Sequence, residues 1–164
     1  MALNPQVKTY LDSKNVDYEV VSHPKVFSTI EEARTLGIEA DEIAKTLVMQ
    51  VTHMPGDQAL LVIPGSRKIS NRKVHEIFAT KHARLAGEEE MAEDFPDFEL
   101  GAVPPLAELL NLPVYVDERL LDHNTVLFTG GTHTESIKMA IEDFLNLTDS
   151  ILIDAVEEAE EKAA

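Results

Sequence analysis

KTLVMQVTHMPGDQALLVIP, residues 45–64, places two kinds of strand signal on either side of a turn. From Lys45 to Thr52 the residues alternate. Lys45, Leu47, Met49 and Val51 face one way, and Thr46, Val48, Gln50 and Thr52 the other, which is the two-residue period of a strand. ALLVIP is apolar throughout, as a strand buried on both faces would be. The MPGDQ segment between them has the Pro-Gly chemistry of a turn. The stretch therefore predicts an antiparallel hairpin at the centre of the chain.

Working outward, helices and short strands alternate, with neither repeat nor linker. Asn4 can cap a helix that has Pro5 at its first position and Val7, Tyr10 and Leu11 on one face. YEVV reads as a strand. Ser28 and Glu31 fit a capping box, with Gly37 as the stop. Ile69 and Val74 bracket Ser70 as a hydrophobic staple, opening a helix that carries Ile77 and Phe78. PVYVD, NTVLFT, ESIKMA and SILID are strand candidates, TGGT is a tight-turn signal, and Asp117 can cap ERLL. The pattern predicts a single α+β domain over residues 1–156 with a curled, mainly antiparallel sheet or barrel flanked by helices. Residues 157–164 are expected to form a frayed acidic tail.

The chain has 164 residues, enough for one well-formed core. Residues 1–12 contain no long apolar run, and no stretch approaches the roughly 20 apolar residues of a membrane span. A cytoplasmic protein that does not engage membranes is the expectation. There is no cysteine, hence no disulfide, thiolate metal site or thiol nucleophile. Thirty acidic residues against fourteen basic ones repel a phosphate backbone on average. The basic residues are nonetheless clustered: Arg67, Lys68, Arg72, Lys73, Lys81 and Arg84 are interrupted by Glu76 alone. Such a strip suits either RNA contact or a solvated helix face.

No phosphate-binding glycine loop, HExxH or nucleophile elbow occurs. None of the six histidines pairs with another at helical spacing, so neither a metal site nor a cofactor is expected. Two features stand out. Lys45 shares a strand face with Leu47, Met49 and Val51, where a lysine either serves a function or reaches out to water from the strand end. FELGAVPP, residues 98–105, sets Gly101 before Pro104 and Pro105, a segment that neither helix nor sheet can continue. It is either a stiff connector or a loop that holds backbone N–H groups out for a ligand.

AKTLVMQ around Lys45, GAVPP at 101–105, VYVDERLLDHNTVLFTGG at 114–131 and SIKMAIEDFLNL after it resemble, in this order, the YbaK/prolyl-tRNA synthetase-associated editing domain family. These are freestanding aminoacyl-tRNA deacylases, and the likeness extends to about Asp154. It implies hydrolysis of the ester joining a mischarged small amino acid, alanine first and then cysteine or serine, to tRNA, with the proline tRNA as first choice. It implies Lys45 as the signature functional residue. It also implies a G-x-x-x-P loop, Gly101 with Ala102, Val103, Pro104 and Pro105, that presents amides to the aminoacyl carbonyl. His133 maps onto a histidine that limits pocket size in members clearing alanine, although a plain strand-edge histidine fits as well. Gly130 and Gly131 are candidates for substrate contact or for the turn alone. Arg67, Lys68, Arg72 and Lys73 are candidates for the tRNA acceptor end. The substrate's own ribose hydroxyl is thought to assist water in this family, so no protein nucleophile is required. The expected partners are aminoacyl-tRNA and, further, a synthetase; the oligomeric state is left open. The alternative is a non-catalytic module of the same fold that binds aminoacyl-tRNA or a nucleotide.

Overall fold

The structure, a computed structural model, describes residues 3–158. Its hairpin is the one read from residues 45–64. Strands β2 (Ala44–Gln50) and β3 (Gln58–Pro64) pair antiparallel, with Lys45 opposite Ile63 and Gln50 opposite Gln58. All seven residues of β3 are buried because both of its faces are covered. Leu60 and Val62 enter a core with Val114, Val116, Phe128 and Phe144, while Ala59, Leu61 and Ile63 enter a second with Met49, Val74 and Phe78. The two-residue period thus distributes one apolar run between two cores.

The α+β domain expected from the sequence is found, and its strands form two sheets. In one sheet β1 (Glu19–Ser22), β7 (Glu135–Ala140) and β6 (Thr125–Thr132) are antiparallel in the order β1-β7-β6. The other has the order β4-β2-β3-β5-β8, with β4 at Arg84–Leu85, β5 at Val114–Asp117 and β8 at Ile151–Ile153. Here β3–β5 and β5–β8 are parallel, since each is joined by a long crossover and not a hairpin. A parallel bridge from Ile43 to Leu127 links the sheets.

The helices start where their caps predict. Asn4 Oδ1 accepts from the N–H groups of Gln6 and Val7 ahead of α1 (Pro5–Ser13). Ser28 Oγ accepts from Glu31 N before α2 (Thr29–Leu36), which Gly37 closes at φ 68°. Ser70 does the same for α3 (Asn71–Ile77), and α4 (Glu88–Asp94), α5 (Ala107–Leu110) and α6 (Ile141–Thr148) complete the set.

Two local expectations are corrected. The β6–β7 turn lies at His133–Thr134, because Thr132 pairs with Glu135; Gly130 and Gly131 form an irregularity within β6. A Cβ on Gly130 would meet Leu3 Cδ1 at 2.5 Å, and Gly131 has φ +104° against Phe98 and Asn4, so these glycines serve packing. The start of the acidic tail is tethered, not frayed. Glu157 N donates to Lys68 O, Val156 bridges to Ile69, and Glu158 bonds Lys73 and Arg119. Residues 159–164 lie outside the described residues.

Candidate active site

β4 pairs with β2 only at Met49 and Gln50. Upstream, residues 44–48 of β2 border a cleft of about 330 Å³, closed by the start of α2, by Gly101 and by the β6–β7 hairpin. Lys45 lies in this cleft. It is exposed at the second residue of its strand, and its ammonium makes no ion pair among the described residues. Next to it, Thr46 Oγ1 is buried without a partner among the described residues.

The FELGAVPP loop is clamped to the hairpin by contacts that its sequence does not announce. Glu99 N donates to Gly131 O at 2.9 Å, and Thr129 Oγ1 donates to Ala102 O at 3.3 Å. His133 Nε2 lies 2.6 Å from Leu100 O, so that nitrogen carries the proton. Gly101 has φ +84°, and a Cβ there would sit 3.6 Å from His133 Cε1. The loop offers fewer donors than its length suggests. Ala102 N is already given to Glu99 O at 2.9 Å, and the two prolines have no N–H. Gly101 and Val103 keep N–H groups without an acceptor among the described residues. Gly101 lines the cleft, whereas Ala102, Val103, Pro104 and Pro105 are buried behind it and do not. Those four residues lie behind Gly101 and outside the cleft lining. Gly130 and Gly131 are also outside its lining. His133 lines it and packs at 5.0 Å on Phe27, a ring 71% exposed at the opening.

The basic strip does not act as a unit. Lys73 is buried, donating to Val156 O at 2.8 Å, Glu158 at 2.8 Å and Asp154 at 3.1 Å; the Glu158 carboxylate first, and then Asp154, raise its pKa above the ordinary lysine value against the effect of burial. Its ammonium is thereby taken out of the exposed strip. Arg67 donates to Glu157 O, Arg72 pairs with Glu76, and Lys68 is exposed. None of the four borders the cleft. The strip does begin beside it, since Gly65 O accepts from Thr29 Oγ1, and Thr29 is a lining residue.

Sequence reasoning missed a buried polar cluster at the cleft wall. His23 Nδ1 meets Pro24 O at 2.9 Å, and its Nε2 lies 3.0 Å from Ser136 Oγ. Ser136 donates to Glu32 Oε1, which is also 3.4 Å from His23 Nε2. These residues come from β1's end, α2 and β7, and no local pattern joins them.

Residues 23–147 match the model of the aminoacyl-tRNA editing domain. The uncharacterized protein YwhH of Bacillus subtilis (strain 168) is 30% identical over 135 residues, covering 81% of this chain and 83% of that protein. A crystal structure of a candidate trans-editing enzyme for prolyl tRNA synthetase superposes with a TM-score of 0.82 at 26% identity, covering 96% of this chain and 100% of that one.

Proposed function

The chain belongs to the aminoacyl-tRNA editing domain family, and on that premise we propose that it is a trans-editing deacylase for tRNA mischarged with a small amino acid. The observation that carries the reading is that one cleft is lined both by Lys45, whose ammonium has no ion pair among the described residues, and by Gly101, whose N–H has no acceptor among them. An aminoacyl ester is already activated, so the protein has to position it and stabilise charge. Water adds to the ester carbonyl, and negative charge develops on the carbonyl oxygen, towards which Gly101 N–H would be aimed. The C–O bond to the ribose then breaks, and that oxygen recovers a proton as the free hydroxyl. Lys45 would hold the adjoining phosphate or ribose.

Alanyl-, cysteinyl-, seryl- and prolyl-tRNA(Pro) are the test set. Hydrolysis of the alanyl ester is expected to be fastest, and no hydrolysis of any above the buffer rate would refute the reading. His133 is the residue proposed to limit size. One methylene in an apolar pocket shifts selectivity by about 1–3 kcal/mol, so His133→Ala should raise the prolyl-to-alanyl rate ratio at least about fivefold. A uniform fall in both rates would mean that His133 acts only by bracing Leu100 and the loop.

For tRNA contact we retain Arg67, Lys68 and Arg72 of the strip and leave out Lys73, whose ammonium is buried among its own partners. Replacing all three with alanine should weaken tRNA binding and reduce its salt slope by roughly one per lost phosphate contact. Rates on 3′-O-alanyl-adenosine should stay unchanged. An unaltered salt slope would assign these side chains to a solvated face. Lys73→Ala should instead lower the melting temperature.

A further inference from the structure

Among the described residues that line the cleft, Glu32 is the only carboxylate. It stands in the first turn of α2, and its side chain is only 12% exposed. Oε1 is occupied by the Ser136 hydroxyl, with His23 Nε2 at 3.4 Å, whereas Oε2 has no partner among the described residues. The support behind it is rigid. His23 and Ser136 are themselves buried, and His23 is fixed at its other nitrogen by Pro24 O. A carboxylate braced through one oxygen and open through the other is an acceptor for a cation. Lys45 lines the same cleft but does not pair with it.

An aminoacyl ester carries such a cation, the protonated α-amine, one carbon from the carbonyl that reacts. N-acylation removes the charge and adds bulk at that nitrogen. Building on the deacylase reading, we propose that Glu32 receives the α-ammonium group of the aminoacyl ester. The cleft thereby selects esters with a free amine and rejects N-acylated ones such as peptidyl-tRNA. Ser136 and His23 are positioning residues that hold Glu32 in the required orientation. A hydrolase acting on tRNA in trans meets peptidyl-tRNA carrying the same ester, and the free amine is the chemical difference available to it.

The test uses 3′-alanylamino-3′-deoxyadenosine, whose amide replaces the labile ester, and its N-acetyl derivative, with binding measured by calorimetry. The wild-type protein should bind the free-amine compound at least about tenfold more tightly than the acetylated one. A hydrogen bond to a charged group accounts for about a tenfold to hundredfold change in affinity. Glu32→Gln should therefore weaken the free-amine compound by that factor and leave the acetylated one within about twofold. Equal binding of the two compounds by the wild type overturns the proposal, and so does an equal loss for both in Glu32→Gln. Hydrolysis of alanyl-tRNA by the same wild-type protein is scored separately. No hydrolysis with the amine preference intact would refute the deacylase reading and leave the ammonium site standing.

Discussion

Lys45→Ala is expected to lower single-turnover hydrolysis of alanyl-tRNA by about a hundredfold or more while the protein melts within about 2 °C of the wild type. The first half follows from position. Lys45 is a cation in the cleft that makes no ion pair among the described residues, so its field is available to the substrate. Losing one fixed electrostatic contact of this kind costs about 10²–10³ in rate. The second half follows from packing. The side chain is exposed, and the register of β2 is held by its backbone pairing along β3, including Ala44 with Pro64 and Thr46 with Val62. Surface substitutions that remove no buried partner usually change stability by less than about 0.5 kcal/mol. Lys45→Arg should recover only part of the rate, because a planar guanidinium does not occupy the place of a compact ammonium. Activity within threefold of wild type in Lys45→Ala would remove the residue from the mechanism. A large fall in melting temperature would make it structural.

What could be read in advance was what is local. The alternation from residue 45, the apolar run in 59–64 and the caps at Asn4, Ser28, Ser70 and Asp117 depend on neighbours within a few residues, and each is found as expected, except that the strand ends at Gln50, short of Val51 and Thr52. The parallel pairing of β3 with β5 and of β5 with β8 was not legible. It depends on which distant strands find each other, and a strand buried on both faces has no signature for its partner. The TGGT turn was misplaced by a couple of residues because glycines serve an irregularity in a strand as readily as a turn. Lys73 looked like its basic neighbours because a charge run does not state which member the helix turns inward. The site divided in the same way. Lys45 and Gly101 stood out through the resemblance of their surroundings to a family. His23, Glu32 and Ser136 are ordinary residues in their own segments and acquire meaning only where β1, α2 and β7 converge.

Asp117→Ala should destabilise the fold more than any of the other substitutions, by about 3–5 kcal/mol. Asp117 is fully buried and joins three parts of the chain. Its Oδ1 accepts from Arg119 N at 3.0 Å, its Oδ2 accepts from Ala155 N at 2.9 Å, and the Arg119 guanidinium lies 3.3 Å from both oxygens. Arg119 continues to Asp154 at 2.8 Å and Glu158 at 3.1 Å, where Lys73 joins from α3. Despite burial, which opposes it, the bonds from Arg119 and Lys73 hold the Asp154 carboxyl below its ordinary pKa. A carboxylate with a depressed pKa stabilises the fold above its ordinary pKa, and that stabilisation is lost as pH falls from the ordinary range down through the lowered pKa. The wild type should therefore lose stability on acidification in that range. Alanine at 117 removes the acceptors of a buried N–H and leaves the guanidinium with one carboxylate fewer, which is the costly way to break a buried pair. In a domain of this size about 1 kcal/mol shifts the melting temperature by about 2–4 °C, so a drop of roughly 6–20 °C is expected. Because Asp117, Arg119 and Asp154 do not border the cleft, the folded fraction at low temperature should hydrolyse alanyl-tRNA at close to the wild-type rate. A shift under about 2 °C would mean that the Ile69–Val156 bridge and the apolar contacts of Ala155 and Val156 hold the C-terminal segment without this network.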